Sequence, residues 1–256
     1  MISYIGLETL LKEKNIGKTE LSSKLGLSTR TVAKIAKGEK LSKSTLKKIA
    51  AYLNVTPESL YRIESNNKIL QLLRDEREIQ LPGGLYHELQ IRMTYNSNHI
   101  EGSKLSEDQT RLIFETNTID MGDGIPVDDI LETVHHFRAI DYCIDIAEES
   151  LTEDIIKKLH YIIKHDTKDS TLSWFAVGDY KKRANVVGGR ETTKPSEVSK
   201  SMKELLETYN AKENIKIEDI IELHAEFEYI HPFQDGNGRV GRFGVKNNLF
   251  DRSTEG

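Results

Sequence analysis

The sequence predicts an all-α protein with one short β-hairpin, in which a small helical bundle precedes a larger helical domain. Three observations predict it. Apolar residues recur at spacings of three and four along most of the chain. One stretch, 174–190, departs from that pattern, and residues 180–187 with a closing Gly188-Gly189 read as a hairpin. The 256 residues exceed one ordinary domain, and Pro82-Gly83-Gly84 interrupts the helical pattern between a short part and a long one.

Taken in order, Leu7, Leu10 and Leu11 mark a first helix and Leu21 with Leu25 a second. Val32 with Ile35 mark a third, and Leu46, Ile49, Ala50 and Leu53 a fourth. Gly26 stands where a tight turn needs positive φ, and Ser28 is a good N-cap for the next helix. Thr56 caps and Pro57 opens a last short helix. These elements make residues 1–63 one domain. Residues 64–84 read as a helical linker, and 85–256 as the second domain. Its predicted helices are 86–95, 107–115, 128–148, 153–166, 196–209 and 217–230.

Composition narrows the class. The chain is 37% hydrophobic and 30% charged, and no apolar run approaches the roughly 20 residues that cross a bilayer. The start, Met1-Ile2-Ser3-Tyr4, lacks the basic and apolar parts of a signal peptide. A single cysteine, Cys143, excludes an intrachain disulfide framework and fits a reducing cytoplasm, without membrane contact. Cys143 lies in an apolar helical stretch and reads as a core residue. No His-Glu-x-x-His or Cys/His cluster suggests zinc. The net charge of −5 is uneven. Residues 1–63 hold twelve Lys/Arg against five Asp/Glu, which is +7, and the remainder carries −12. A basic head on an acidic body suggests two partners of different kinds, one of them nucleic acid.

The most informative segment is His231-Pro232-Phe233-Gln234-Asp235-Gly236-Asn237-Gly238-Arg239-Val240-Gly241-Arg242. Pro232 disfavours helical geometry at His231, so a helix stops there and holds the imidazole at its end. Gly236, Asn237 and Gly238 reach positive φ easily and can turn backbone N–H groups into a concave anion site. A helix starting near Arg239 adds its dipole to that cup. Arg239 and Arg242, three residues apart, share a helix face and can grip phosphate. Asp235 is a hard oxygen ligand suited to Mg²⁺, and His231 can take a proton from an attacking hydroxyl. Together these are the parts of a phosphoryl- or nucleotidyl-transfer site. By contrast, His135, His136, His160 and His224 read as packing or surface residues.

This segment resembles the Fic family signature HPFx(D/E)GNGRxxR at every fixed position, and Leu223 to Ile230 resembles the family's preceding helix. The resemblance covers about residues 90–250. It implies a Fic-type helical core that transfers AMP from ATP to a Ser, Thr or Tyr hydroxyl of a target protein, the chain itself included. His231 would be the general base, Asp235 the Mg²⁺ ligand, and Gly236, Asn237 and Gly238 the anion hole. Arg239 and Arg242 would hold the β- and γ-phosphates. Ser97-Asn98-His99-Ile100-Glu101-Gly102 resembles the family's inhibitory motif (S/T)xxxE(G/N), which implies that Glu101 pairs with Arg242 and keeps ATP from seating. The segment with Tyr180, Lys181, Lys182 and Arg183 resembles the flap that aligns a target strand. After Arg242 the chain departs from the family. Gly244 weakens the helix by about 1 kcal/mol relative to alanine, and the sequence reads as cut short at its C-terminus, which bears on activity.

Residues 18–37 resemble the helix-turn-helix of Cro/repressor-type domains: Leu21, Leu25-Gly26-Leu27-Ser28, Val32, Ile35 and, just beyond, Gly38. The resemblance implies DNA binding, with Lys18, Ser28, Thr29, Arg30 and Lys34 as contacts. Further lysines at 40, 43, 47 and 48 would add sequence-independent attraction. The leading expectation is an autoinhibited AMP transferase with a DNA-binding head, with a homodimer allowed. The alternative is a transcriptional regulator whose Fic domain senses nucleotide or is inactive.

Overall fold

The computed structural model describes residues 2–63, 65, 67–120 and 124–252, apart from the side chains of 63 and 245–252. It divides into two compact units, 1–66 and 67–256.

The first unit holds α1 (Ile5–Glu13), α2 (Lys18–Leu25), α3 (Thr29–Ala36) and α4 (Lys43–Leu53), followed by a 3-10 turn at Pro57–Leu60. Leu7, Leu11, Leu21, Ile49, Leu53 and Leu60 form its core, as the helical spacing predicts. Gly26 adopts φ 61° at the end of α2, and the Ser28 hydroxyl accepts the Thr31 N–H at the start of α3. The helices therefore start and stop where the turn and cap residues stand. One feature went unforeseen. β1 (Ile2–Ser3) pairs antiparallel with β2 (Arg62–Ile63), so the two ends of this unit meet. Two residues are too few to show an alternating pattern.

The second unit holds α5 (Lys68–Glu78), α6 (Leu85–Ile100), α7 (Glu107–Thr116), α8 (Val127–Ile146) and α9 (Glu153–Lys164). β3 (Val186–Val187) and β4 (Arg190–Glu191) follow, then α10 (Pro195–Asn210), α11 (Ile217–Ile230) and α12 (Asn237–Arg252). The helix α12, which carries the two motif arginines, packs on α11, α8, α9 and α6. Phe233, Val240 and Phe243 anchor it in the main core with Ile140, Ile144, Leu159 and Phe227.

The segment expected as a linker contributes α5 to this unit. Leu70 and Leu73 are fully buried in the main core, and Arg77 binds Asp145 and the Asp141 carbonyl on α8. Glu76 then accepts the Tyr86 N–H and so caps α6. A side chain at Gly84 would collide with that carboxylate, 2.6 Å from its Oε2. The hairpin is also displaced from the expected 180–187. Its strands are 186–187 and 190–191, joined by Gly188 and Gly189 at φ 57° and 80°. Tyr180 and Lys181 precede it and are buried. Despite Gly244, α12 continues to Arg252, and residues 253–256 of the expected polar tail lie outside the described residues.

Candidate active site

The last turn of α11 and the first of α12 enclose the motif. His231 caps α11 at φ 52°, ψ 62°, with its N–H on the Phe227 carbonyl. This left-handed cap differs from the extended geometry that Pro232 alone predicts, because the helix end needs an αL residue to close its carbonyls. Phe233 is wholly buried and stacks on the His160 ring at 4.0 Å. Asn237 folds its side chain back to accept the Phe233 N–H at 2.7 Å and donate to the Phe233 carbonyl at 2.9 Å. Its amide therefore locks the loop, and the first turn of α12 follows with backbone N–H groups that have no intrahelical partner. Only Gly236 of the three cup residues has positive φ, 78°; Asn237 and Gly238 are already helical.

Beneath the loop lies a charge network that the sequence reading did not assemble. The Lys164 ammonium, 3% exposed, bonds Asp235 at 2.7 Å, Glu132 at 2.8 Å and Asp169 at 3.2 Å. Arg239, also 3% exposed, pairs with Glu132 at 2.5 Å and approaches Asp235 at 3.5 Å. Burial works against charge on each group, but the opposite partners prevail. Asp235 and Glu132 are held below the usual carboxylate range, and Lys164 is held above the usual lysine value. His160 accepts the Gly178 N–H at Nδ1, which leaves Nε2–H to donate to the Asp235 carbonyl at 3.2 Å. Burial pushes it down to about 3, so its ring is neutral. One signal in the sequence could have pointed to this network. Lys164 and His160 stand four apart on the face of α9 that otherwise carries Ile156, Leu159 and Ile163.

Arg242 faces a different environment. Its Nε donates to the Ser97 hydroxyl at 2.9 Å, and one terminal nitrogen donates to the Ser97 carbonyl at 3.1 Å and to Glu101 Oε1 at 2.6 Å. Ser97 and Glu101 are one turn apart on α6, so both reach the same guanidinium. The helix ends there, with Gly102 at φ 93°. Glu101 also lies over the first turn of α12, because a Cβ on Gly238 would fall 2.5 Å from its Oε1. The expected pair is thus formed, and its carboxylate sits beside Gly238.

The four expected flap residues do not act as one exposed strand. Tyr180 bonds Glu153 from the core, and Lys181 gives its backbone N–H to the Pro232 carbonyl. The Lys181 ammonium donates to Asn185, Thr192 and the Ile230 carbonyl, with no carboxylate among the described residues, and burial lowers it to about 8. Lys182 and Arg183 are exposed, and Arg183 covers the Trp174 ring. The exposed edge near the loop is instead Val186, Val187 and Arg190, with Arg190 over the Tyr229 ring at 4.0 Å.

In the first unit, Thr29 and Arg30 are exposed on α3 and Lys34 is half-buried. Ser28 spends its hydroxyl on capping, and Lys18 pairs with Glu8 at 2.6 Å. Comparison with known proteins agrees with both units. Residues 150–247 match the Fic/DOC family, and residues 7–65 match the Cro/C1-type HTH DNA-binding domain. The chain thus carries a Fic/DOC domain and an N-terminal Cro/C1-type helix-turn-helix domain. A similar protein, named protein adenylyltransferase Fic, from Aedes aegypti, is 26% identical over 175 residues, 65% of this chain and 33% of that protein. Another of the same name, from Drosophila persimilis, is 25% identical over 174 residues. This chain thus spans about a third of the length of the curated relatives it matches. A Fic domain containing signaling protein from Bacteroides thetaiotaomicron is 26% identical with a TM-score of 0.58, over 72% of this chain and 73% of that one. Fic-1 from C. elegans, at 18% identity, shares the fold with a TM-score of 0.55 over 96% of this chain and 72% of that one.

Proposed function

We propose that the Fic unit transfers AMP from ATP to a hydroxyl of a target protein and is held off by Glu101. The observation that carries this reading is the Arg242 clasp. An arginine one turn into α12 is the natural partner of a terminal phosphate at that helix start, and here a carboxylate holds it. In the transfer, His231 takes the acceptor proton and the acceptor oxygen attacks the α-phosphorus. The bond from that phosphorus to the bridging oxygen breaks, and pyrophosphate leaves. The α12 N–H groups hold phosphate oxygens, while Arg239 and Lys164 offset the carboxylates of Glu132, Asp235 and Asp169 beneath the loop. Asp235 fits as a single Mg²⁺ ligand, because its carboxylate is half-exposed and offers more acceptor sites than its bonds to Lys164 and Arg239 use. Bound there, Mg²⁺ would shield the charge of the phosphates.

The test uses α-labelled ATP and a cell lysate. With Glu101→Gly as the background, His231→Ala should lower label transfer by at least about 100-fold. Equal labelling with and without the imidazole would remove the reading. The Cro/C1-type domain supports DNA as a second partner, with Arg30 as a contact. Arg30→Ala should weaken retention in a mobility shift and reduce the salt slope by about one.

A further inference from the structure

We infer that Glu228 is a positioning residue for His231: it holds the imidazole with its proton on Nδ1, leaving Nε2 to take the acceptor proton. Glu228 lies three residues before His231 on α11, and its Oε2 is 3.6 Å from His231 Nδ1. Among the described residues it is the one carboxylate with an oxygen within 4 Å of a ring nitrogen of His231. His231 Nδ1, Glu228 Oε1 and His224 Nδ1 are all buried without a hydrogen-bond partner. Buried polar atoms are nearly always paired, so the unpaired His231 Nδ1, with Glu228 Oε2 3.6 Å away, marks a bond that a shift of under about 1 Å completes.

The neighbours leave that task to Glu228. Lys181 and Arg190, the nearby cations, spend donors on the Ile230 and Tyr229 carbonyls and can accept nothing from an imidazole N–H. The His231 backbone is pinned by its left-handed cap and by Pro232, so only the side-chain torsions remain to be set. Gly241 on α12 makes the room. A Cβ there would lie 2.8 Å from Glu228 Oε1 and 2.9 Å from His224 Nδ1. A glycine one residue before Arg242 thus lets the carboxylate stand between His224 and His231. When Nε2 takes a proton, the imidazolium forms beside a carboxylate, which stabilises it in the manner of an acid–histidine pair.

The inference rests on the proposed reaction for its purpose, but its test does not need transfer. The full chain, labelled with nitrogen-15 histidine, is measured at alkaline pH, where the rings are neutral. His231 is assigned by comparison with His231→Asn. Wild type should show the Nδ1–H tautomer. Glu228→Gln, with nearly the same shape but an amide able to donate, should shift at least half of His231 to Nε2–H, and Gly241→Ala should do the same by displacing the carboxylate. Glu226→Gln, an exposed change on the same helix, should leave the tautomer alone. An unchanged tautomer in Glu228→Gln, or Nε2–H in wild type, overturns the inference, because a merely structural Glu228 would not move this signal. If the tautomer moves as stated but no variant transfers label even with Glu101→Gly, the proposed reaction fails and the positioning role stands.

Discussion

Arg239 and Arg242 stand three residues apart on one helix, and the protein treats them in opposite ways. Arg239 is sealed in, paired with Glu132 and joined through Asp235 to Lys164. Arg242 remains about one-quarter exposed and is held by Ser97 and Glu101, with Glu101 about as exposed. In sequence the two look alike, since both repeat the spacing of one helix face. What separates them is the chain around them: α8 brings the Glu132 carboxylate and α9 the Lys164 ammonium beneath the loop, while α6 brings a single carboxylate to its rim. A network built around two buried cations is costly to break, whereas a rim pair exchanges readily with an incoming anion. The contact we propose as the brake is of the second kind.

That contrast can be broken or sharpened by substitution. The largest effect should come from Lys164→Met, which leaves Asp235, Asp169 and Glu132 short of a cation. The unit should lose about 3–5 kcal/mol in urea denaturation. A loss under about 1 kcal/mol would mean the network is not structural. Lys181, buried without a carboxylate, should behave differently. Its value in the fold, about 8, lies below the ordinary 10.5. Between those values the unfolded chain binds more protons, so its contribution to stability rises as pH rises through that window, by at most about 1.4 kcal/mol per pH unit. Lys181→Met should flatten the slope of stability against pH from 8 to 10.5 relative to wild type. An identical slope in both would show that another group carries it. The smallest effect is expected for Glu101→Gly. Its loss opens a partly exposed pair and should change stability by no more than about 1 kcal/mol in the same denaturation.

Much of this was readable from residues. The helices follow from apolar spacing because each buries one face, as α9 does with Ile155, Ile156, Leu159 and Ile163. The His231 loop and the Ser97–Glu101 pair were legible because both are short motifs whose parts meet through local geometry. The Lys164 network was not, since Glu132, Lys164 and Asp235 lie on three separate elements and meet only through tertiary packing. Asn237 was misread for a related reason. Its residue type suits a turn, but its amide closes the loop onto Phe233. The α5 helix read as a linker because its polar outer face hides Leu70 and Leu73. The hairpin slipped because the expected span opened at Tyr180, yet Tyr180 and Lys181 are drawn inward by Glu153, Thr192 and the Ile230 carbonyl.

The clasp itself is tested most directly by labelling with α-labelled ATP, comparing wild type, Glu101→Gly and Glu101→Gly with His231→Ala at equal concentration. Freeing Arg242 should raise label transfer by about 5- to 150-fold over wild type, the range of a typical coupling between two sites, and removing the imidazole should abolish the gain. Equal transfer by wild type and Glu101→Gly would contradict the account, because Glu101 would then restrain nothing.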